Sequence, residues 1–327
     1  MTPSTLLFFS SMTVGTMVSA SSSNWLYLWM GMELNLLSFV PIMAHSHKLQ
    51  ETMGSIKYFM IQAVGSGLML TAGISSVNPI TASNQYTISS MFIMSMCLKL
   101  GAAPYHQWLP HVMTSLPWMT CLILATWQKI SPLVMLMFIT PSNMMFMILM
   151  LAALSALVGG AGGLNQSQMR GLMAYSSVGH MGWMLATLTL SNKLSLIYFS
   201  AYVLITSSLM LVFMKTNSMM SSMSNSVMPA KIIMFSMVVL MLLSLGGLPP
   251  FMGFIPKWLV IYTLSEENMI TVLLMLIMGS MMNLFYYFAM MFNFMLTPQQ
   301  SLMTYAPPMW PTMLTMSVTI MPAMIML

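Results

Sequence analysis

Four ionisable residues, Glu33, Lys99, Lys129 and Lys257, lie inside stretches that otherwise read as membrane-spanning helices. A charge at the bilayer centre costs about 2.5–3.5 kcal/mol on insertion scales, so it is seldom kept there without a role. One carboxylate and three lysines on separate segments supply the parts of a path for protons or ions. Glu33 sits near the middle of its segment, in Trp29-Met30-Gly31-Met32-Glu33-Leu34-Asn35-Leu36-Leu37-Ser38. It reads as a relay acid or the partner of a buried lysine, against the plainer alternative of an ion pair that locks two helices. Lys99 is its natural partner, because moving a neighbouring carboxylate by a few ångströms changes how firmly a buried lysine holds its proton. Both readings need contact between the two. Lys129, in Trp127-Gln128-Lys129-Ile130-Ser131-Pro132, is too far from either loop for easy snorkelling. Lys257, in Phe254-Ile255-Pro256-Lys257-Trp258, is deep if its helix breaks near Pro249 and Pro250. If the helix starts later, it is an interfacial anchor.

Histidine adds a second tier. His180, in Tyr175-Ser176-Ser177-Val178-Gly179-His180-Met181-Gly182-Trp183, is mid-segment and could bridge the halves of a relay, since imidazole titrates near neutrality. A packed, hydrogen-bonded histidine is the commoner outcome. His106 and His111 follow a Gly/Pro interruption and belong near its mouth. His45 and His47 share a loop with Lys48 and read as solvated. No two histidines share a face at haem or zinc spacing. Cys97 and Cys121 lie in apolar segments without a Cx2C pair, so they read as small packing residues and not as metal or cluster ligands. Gly159-Gly160-Ala161-Gly162-Gly163 fails the dinucleotide pattern, because Asn165 stands where a third glycine belongs. Gly159 and Gly163 form GxxxG, a helix-packing motif. No P-loop, triad or metal cluster is present. No catalytic residue, metal site or bound NADH, flavin or iron–sulfur cluster is therefore expected on this chain.

The elements that must hold these residues are helices in lipid. The chain is 58% hydrophobic and 4% charged, where soluble domains are about 25% charged. Its cations are scattered singly, which excludes a nucleic-acid surface. Eleven apolar segments follow, over 4–20, 25–44, 57–77, 87–114, 118–138, 144–164, 170–190, 194–214, 231–263, 269–296 and 308–326. The first is read as a retained helix, since no positive flank marks a signal peptide. Segments 87–114 and 231–263 are too long for one crossing and carry Gly and Pro in the middle, so each reads as one broken helix. Methionine, 49 of 327 residues, exceeds what gap-filling demands. A genetic code that reads an isoleucine codon as methionine produces this, as in animal mitochondria, and points to the inner membrane.

Orientation follows from loop lysines and arginines. Lys48, Lys57, Arg170, Lys215 and Lys231 fall on the N-terminal side; Lys193 falls opposite, with Glu266 and Glu267. The N-terminus is expected in the matrix and the C-terminus on the intermembrane-space side. The breaks also hint at a repeat. Leu100-Gly101-Ala102-Ala103-Pro104 and Leu245-Gly246-Gly247-Leu248-Pro249 both read L-G-x-x-P, 145 residues apart. Two five-helix units, 4–138 and 144–296, would then be inverted in the membrane, since five is odd. A C-terminal helix at 308–327 completes one all-α, polytopic transmembrane domain. Paired interruptions of this kind point to an ion site, because freed backbone groups must face protein, water or an ion.

Residues 29–41, the run Lys99-Leu100-Gly101-Ala102-Ala103-Pro104-Tyr105-His106-Gln107-Trp108, residues 175–183, and Gly246-Gly247-Leu248-Pro249-Pro250 with Lys257 resemble the chain 2 family of NADH-ubiquinone oxidoreductase. This is the smallest of the three antiporter-like subunits of respiratory complex I in animal mitochondria. The resemblance runs over the whole chain. It implies two inverted five-helix units, with the three N-terminal helices of bacterial relatives missing. It implies a hydrated axis along Glu33, Lys99, Lys129 and Lys257, and proton translocation coupled to electron transfer from NADH to ubiquinone. Partners would be the other membrane-arm subunits and inner-membrane phospholipid, with NAD, FMN, iron–sulfur clusters and ubiquinone on other subunits. Two alternatives remain: a free-standing cation/proton antiporter of the same architecture, and a structural linker whose buried charges only fix packing.

Overall fold

The computed structural model describes residues 3–45, 48–77, 85–139, 144–222, 228–249 and 251–296. Every regular element among them is helical. In chain order they are α1 (Pro3–Ser21), α2 (Trp25–Met43), α3 (Leu49–Val77), α4 (Gln85–Leu100), α5 (Trp108–Ser115), α6 (Trp118–Ala125), α7 (Ile130–Ile139), α8 (Met145–Leu164), α9 (Met169–Leu190), α10 (Asn192–Ser222), α11 (Met228–Gly246), α12 (Phe254–Glu266) and α13 (Ile270–Leu296). Lipid offers backbone groups no partners, so a chain this apolar must satisfy them within helices. Among the described residues, six stretches are long and apolar enough to cross a membrane: α2, α3, α6 with α7, α8, α10 and α13. The chain is a multi-pass helical membrane protein. The expected segment 308–326 lies outside the described residues, as do His47 and Pro250.

The centre of the fold is α9. It is buried almost throughout, from Gly171 to Leu188. A helix wrapped in protein does not have to be apolar towards lipid, which explains how it carries Ser176, Ser177, His180 and Thr187. Its partner α8 comes very close. A side chain at Gly159 would run into the backbone of Gly179, and one at Gly182 would sit 2.6 Å from the carbonyl oxygen of Ala152. Small residues permit this backbone approach, so the glycine run at 159–163 packs helices. Replacing Gly159 by Val is expected to destabilise the α8–α9 pair by about 1–3 kcal/mol. A lower temperature for heat-induced loss of the chain from its native assembly checks this.

Both expected broken helices are broken, by one local device. Gly101 has φ +72° and Gly247 has φ +78°. Each follows the last residue of a helix, and the next N–H bonds back five residues: Ala102 to the Cys97 carbonyl at 2.9 Å, Leu248 to that of Leu243 at 3.5 Å. This left-handed cap satisfies two orphan carbonyls and suits glycine, which has no Cβ to clash. The paired L-G-x-x-P reading needs a correction of one residue. Gly101 matches Gly247 in conformation, whereas Gly246 is still helical. Pro104 and Pro249 fall in the turns that follow.

A third interruption was not expected. Segment 118–138 reads as one regular helix, but a 3-10 turn at Trp127–Lys129 separates α6 from α7. Pro132 has no N–H for the Gln128 carbonyl, and its ring crowds that position. Thr126 bonds its hydroxyl to the Leu122 carbonyl at 2.7 Å, which loosens the ladder just before the turn. Lys129 therefore sits on a break, as Lys99 does.

Candidate functional site

Lys99 is the next-to-last residue of α4 and is buried. Its stem runs across Gly65 of α3, where a Cβ would lie 3.1 Å from Lys99 Cγ. Two side chains hold the carbonyls freed by the break. Gln62 Nε2 donates to the Lys99 carbonyl at 3.1 Å, and Trp108 Nε1 donates to that of Leu98 at 3.2 Å. Glu33, on α2, is near enough to act on Lys99 electrostatically. Direct bonding is narrower than expected: Glu33 Oε2 is buried with no hydrogen-bond partner. Lys99 therefore feels the Glu33 charge while one carboxylate oxygen stays without a hydrogen bond.

Lys129 is 2% exposed, and its Nζ donates to the Tyr202 hydroxyl at 3.3 Å, 4.9 Å from the ring centre. A cavity of about 20 Å³ touches both Lys99 and Lys129, together with Asn35, Tyr58, Gln62 and Gln128. That is room for about one water among polar groups able to hold it. Around it, Gln128 Nε2 donates to Asn35 Oδ1 at 3.0 Å and the Tyr58 hydroxyl to Gln128 Oε1 at 3.3 Å. These bonds tie the 3-10 turn to α2 and α3 and so fix where Lys129 starts from.

His180 is buried on α9 and is within electrostatic reach of both Lys129 and Lys257. Its Nδ1 is 3.0 Å from the Tyr198 hydroxyl. Its ring centre is 5.3 Å from that of Tyr202. Its Nε2 is buried without a partner.

Lys257 is buried and belongs to the second half-helix, so it is not an interfacial anchor. It reaches back across the break. Nζ donates to the carbonyls of Gly246 at 2.8 Å and Leu245 at 3.2 Å, the negative end of α11. Its stem lies flat on Gly247, where a Cβ would be 2.7 Å from Lys257 Cδ, and Nζ is 5.9 Å from the centre of the Trp183 ring. Replacing Lys257 by Met leaves two buried carbonyls without their donor and is expected to cost about 1–3 kcal/mol. Thermal dissociation of the chain from its native assembly measures that.

Lys99, Lys129, His180 and Lys257 therefore form a row through three interruptions, with Glu33 at its first end. His106 is not part of it. It is half-buried in the first turn, with Nδ1 3.2 Å from the Pro104 carbonyl and its ring 6.3 Å from Tyr175. An open cleft of about 720 Å³, bordered by Lys57, Thr114, Gln168 and Arg170, includes none of the row.

The family described as NADH:quinone oxidoreductase/Mrp antiporter, TM, matches residues 22–283. NADH-ubiquinone oxidoreductase chain 2 of Lumbricus terrestris is 42% identical over 304 residues, 90% of this chain and 88% of that one. The protein of the same name from Canis lupus is 38% identical over 304 residues, 90% of this chain and 86% of that one. The chain belongs to the NADH-ubiquinone oxidoreductase chain 2 family. In fold it is similar to a chain of respiratory complex I from Thermus thermophilus with bound aureothin. The TM-score is 0.80 at 22% identity, covering 96% of this chain and 76% of that one.

In this member of the chain 2 family, the groups that sequence reasoning missed are neutral: Asn35, Tyr58, Gln62, Gln128, Tyr198 and Tyr202. A signal existed for some of them. Polar amides inside apolar spans must find partners, and Tyr198 and Tyr202 are four apart, on one helix face. A Tyr pair at that spacing is more often core, which is why it did not stand out.

Proposed function

We propose that this chain is a core membrane subunit of respiratory complex I. It contributes to proton translocation across the mitochondrial inner membrane, coupled to electron transfer from NADH to ubiquinone. The observation that carries this reading is His180, buried between Lys129 and Lys257 and in reach of both charges. That position supports a link between the first-half lysines and the second-half one. A structural linker needs charges paired in place. Here Glu33 Oε2 lacks a partner, and Lys129 holds only a hydroxyl.

The mechanism uses proton affinity as the currency of coupling. Quinone chemistry on neighbouring subunits alters the Glu33–Lys99 interaction. A change in that carboxylate's distance makes Lys99 give up or take a proton. The proton moves through the cavity to Lys129, past His180 to Lys257, and out. NAD, FMN, iron–sulfur clusters and ubiquinone work on other subunits, and the other membrane-arm subunits and inner-membrane phospholipid surround this one.

The architecture we favour has eleven spans, with units 4–138 and 144–296 inverted relative to each other and a final helix at 308–327. The two glycine caps support it, since in each break a half-helix starts seven residues after the capping glycine, at Trp108 and at Phe254. The basic loops support an N-terminus in the matrix and a C-terminus opposite. The test is mild-detergent extraction of the native membrane and a native gel stained for NADH oxidation and probed for this chain. Migration with a very large NADH-oxidising band is expected. Migration as a small species without that activity, in a gentler detergent too, would favour a free-standing cation/proton antiporter.

A further inference from the structure

The hydrogen bonds leave a gap in the row. Lys129 ends on the Tyr202 hydroxyl, and Lys257 ends on the Leu245 and Gly246 carbonyls. His180 bonds neither lysine; its one hydrogen bond runs from Nδ1 to Tyr198. Protons cross apolar protein along hydrogen bonds, so electrostatic reach alone does not carry one from Lys129 to Lys257. Two observations fall in this gap. His180 Nε2 is buried with no partner, and an unpaired buried ring nitrogen is unfavourable. A cavity of about 10 Å³ also lies against His180, Tyr198, Tyr202, Ser244 and Leu245. That is close to the smallest space that holds a water, and its lining offers the polar partners a water requires.

We infer that one ordered water occupies the space between His180, Tyr202 and the second break, and that the Tyr202 hydroxyl passes the Lys129 proton through it to His180. The inference rests on the proton-translocation reading above. The proton count closes. Lys129 ammonium gives a proton to the Tyr202 oxygen while Tyr202 gives its own hydroxyl proton, through the water, to Nε2. The products are a neutral amine, an intact tyrosine and an imidazolium. The imidazolium then gives up its Nε2 proton towards the neutral amine of Lys257, whose carbonyl partner Leu245 lines the same cavity, and no electrons move.

Tyr198 has the positioning role. For Nε2 to accept, the neutral ring must carry its hydrogen on Nδ1, and the Tyr198 oxygen at 3.0 Å is placed to receive that N–H. Trp183 stacks on Tyr198 with the two planes 6° apart, which holds the tyrosine ring in place.

The plainer account makes Tyr202 a packing residue. Tyr202→Phe separates the two, because it keeps the ring and the cation–π contact with Lys129 and removes only the hydroxyl. The variant is measured in the intact complex in proteoliposomes, beside Lys129→Met. We expect normal assembly, normal electron transfer from NADH to an artificial acceptor, and NADH-driven pumping slowed about tenfold or more. Normal pumping in Tyr202→Phe with loss in Lys129→Met overturns the inference and leaves the subunit's role standing. Normal pumping in both overturns the subunit's role. If Tyr202→Phe fails to assemble, a map of the unaltered complex that resolves ordered waters decides. Density between His180 and Tyr202 supports the relay, and a dry cavity overturns it.

Discussion

Val in place of Gly253 is expected to keep this chain out of its assembly altogether. A Cβ at Gly253 would overlap the carbonyl oxygen of Ser244, with Ile205 behind at 3.5 Å. Ser244 is backbone in the last turn of α11, so no rotamer change relieves the clash. The two halves of the broken helix would have to separate. Separation breaks the Lys257 bonds to Leu245 and Gly246 and leaves those carbonyls unsatisfied in a water-poor interior. Overpacking and lost hydrogen bonds together should cost about 3 kcal/mol or more. That is a large share of a typical folding free energy. Gly246, the last residue of α11, is the contrast: its nearest neighbours to an added Cβ are ordinary contacts at 3.7 Å. Gly246→Ala is therefore expected to assemble normally. Quantifying each variant in the native-gel band checks both halves of the prediction, and equal behaviour would refute it.

Met in place of Lys129 is expected to assemble and fail to pump. Exchanging a buried charge for an apolar side chain of similar volume is often neutral or stabilising. Lys129 has one hydrogen bond to lose, and the Tyr202 hydroxyl that accepts it can rotate to other partners. The contrast with Lys257, which holds two fixed carbonyls, is the point: the same substitution should destabilise there and not here. Function should respond the other way. Losing a positioned proton donor typically slows transfer by about 100-fold or more, and Lys129 is the one lysine of the row between Lys99 and His180. NADH-driven ubiquinone reduction under coupled conditions should fall accordingly, while NADH oxidation by an artificial acceptor is unchanged.

Much of this was legible in the residues. Gly101 and the Gly246-Gly247 pair stood out because the interrupted segments are too long for one crossing, although the motif aligned Gly246 with Gly101 where the conformation aligns Gly247. The lysines stood out because charge in an apolar run is expensive. What escaped notice was local or neutral. Gly253 lies beyond the visible motif, and only its approach to Ser244, nine residues back and across a turn, gives it weight. The break before Lys129 was hidden because Thr126 and Pro132 are each common in membrane helices, and only together do they loosen one turn. Tyr198 and Tyr202 carry no charge, so composition files them with the core. The Glu33–Lys99 contact was inferred from complementary sign. Sign predicts that the two charges act on each other, and Glu33 is within electrostatic reach of Lys99, but it does not predict bonding geometry, and Oε2 has no partner. His106 looked well placed beside the first break, yet its turn opens outward: Pro104, Tyr105 and Gln107 are exposed around it.

The central claim is that protons cross this subunit along the buried row. Its most direct measurement is the number of protons pumped per NADH oxidised by the intact complex in proteoliposomes, for the unaltered chain and for Lys129→Met, with equal assembly verified on the same preparations. The account predicts a lower ratio in the variant on whatever coupled turnover remains. The unaltered ratio at the unaltered rate would contradict it, and the buried lysines would then be structural.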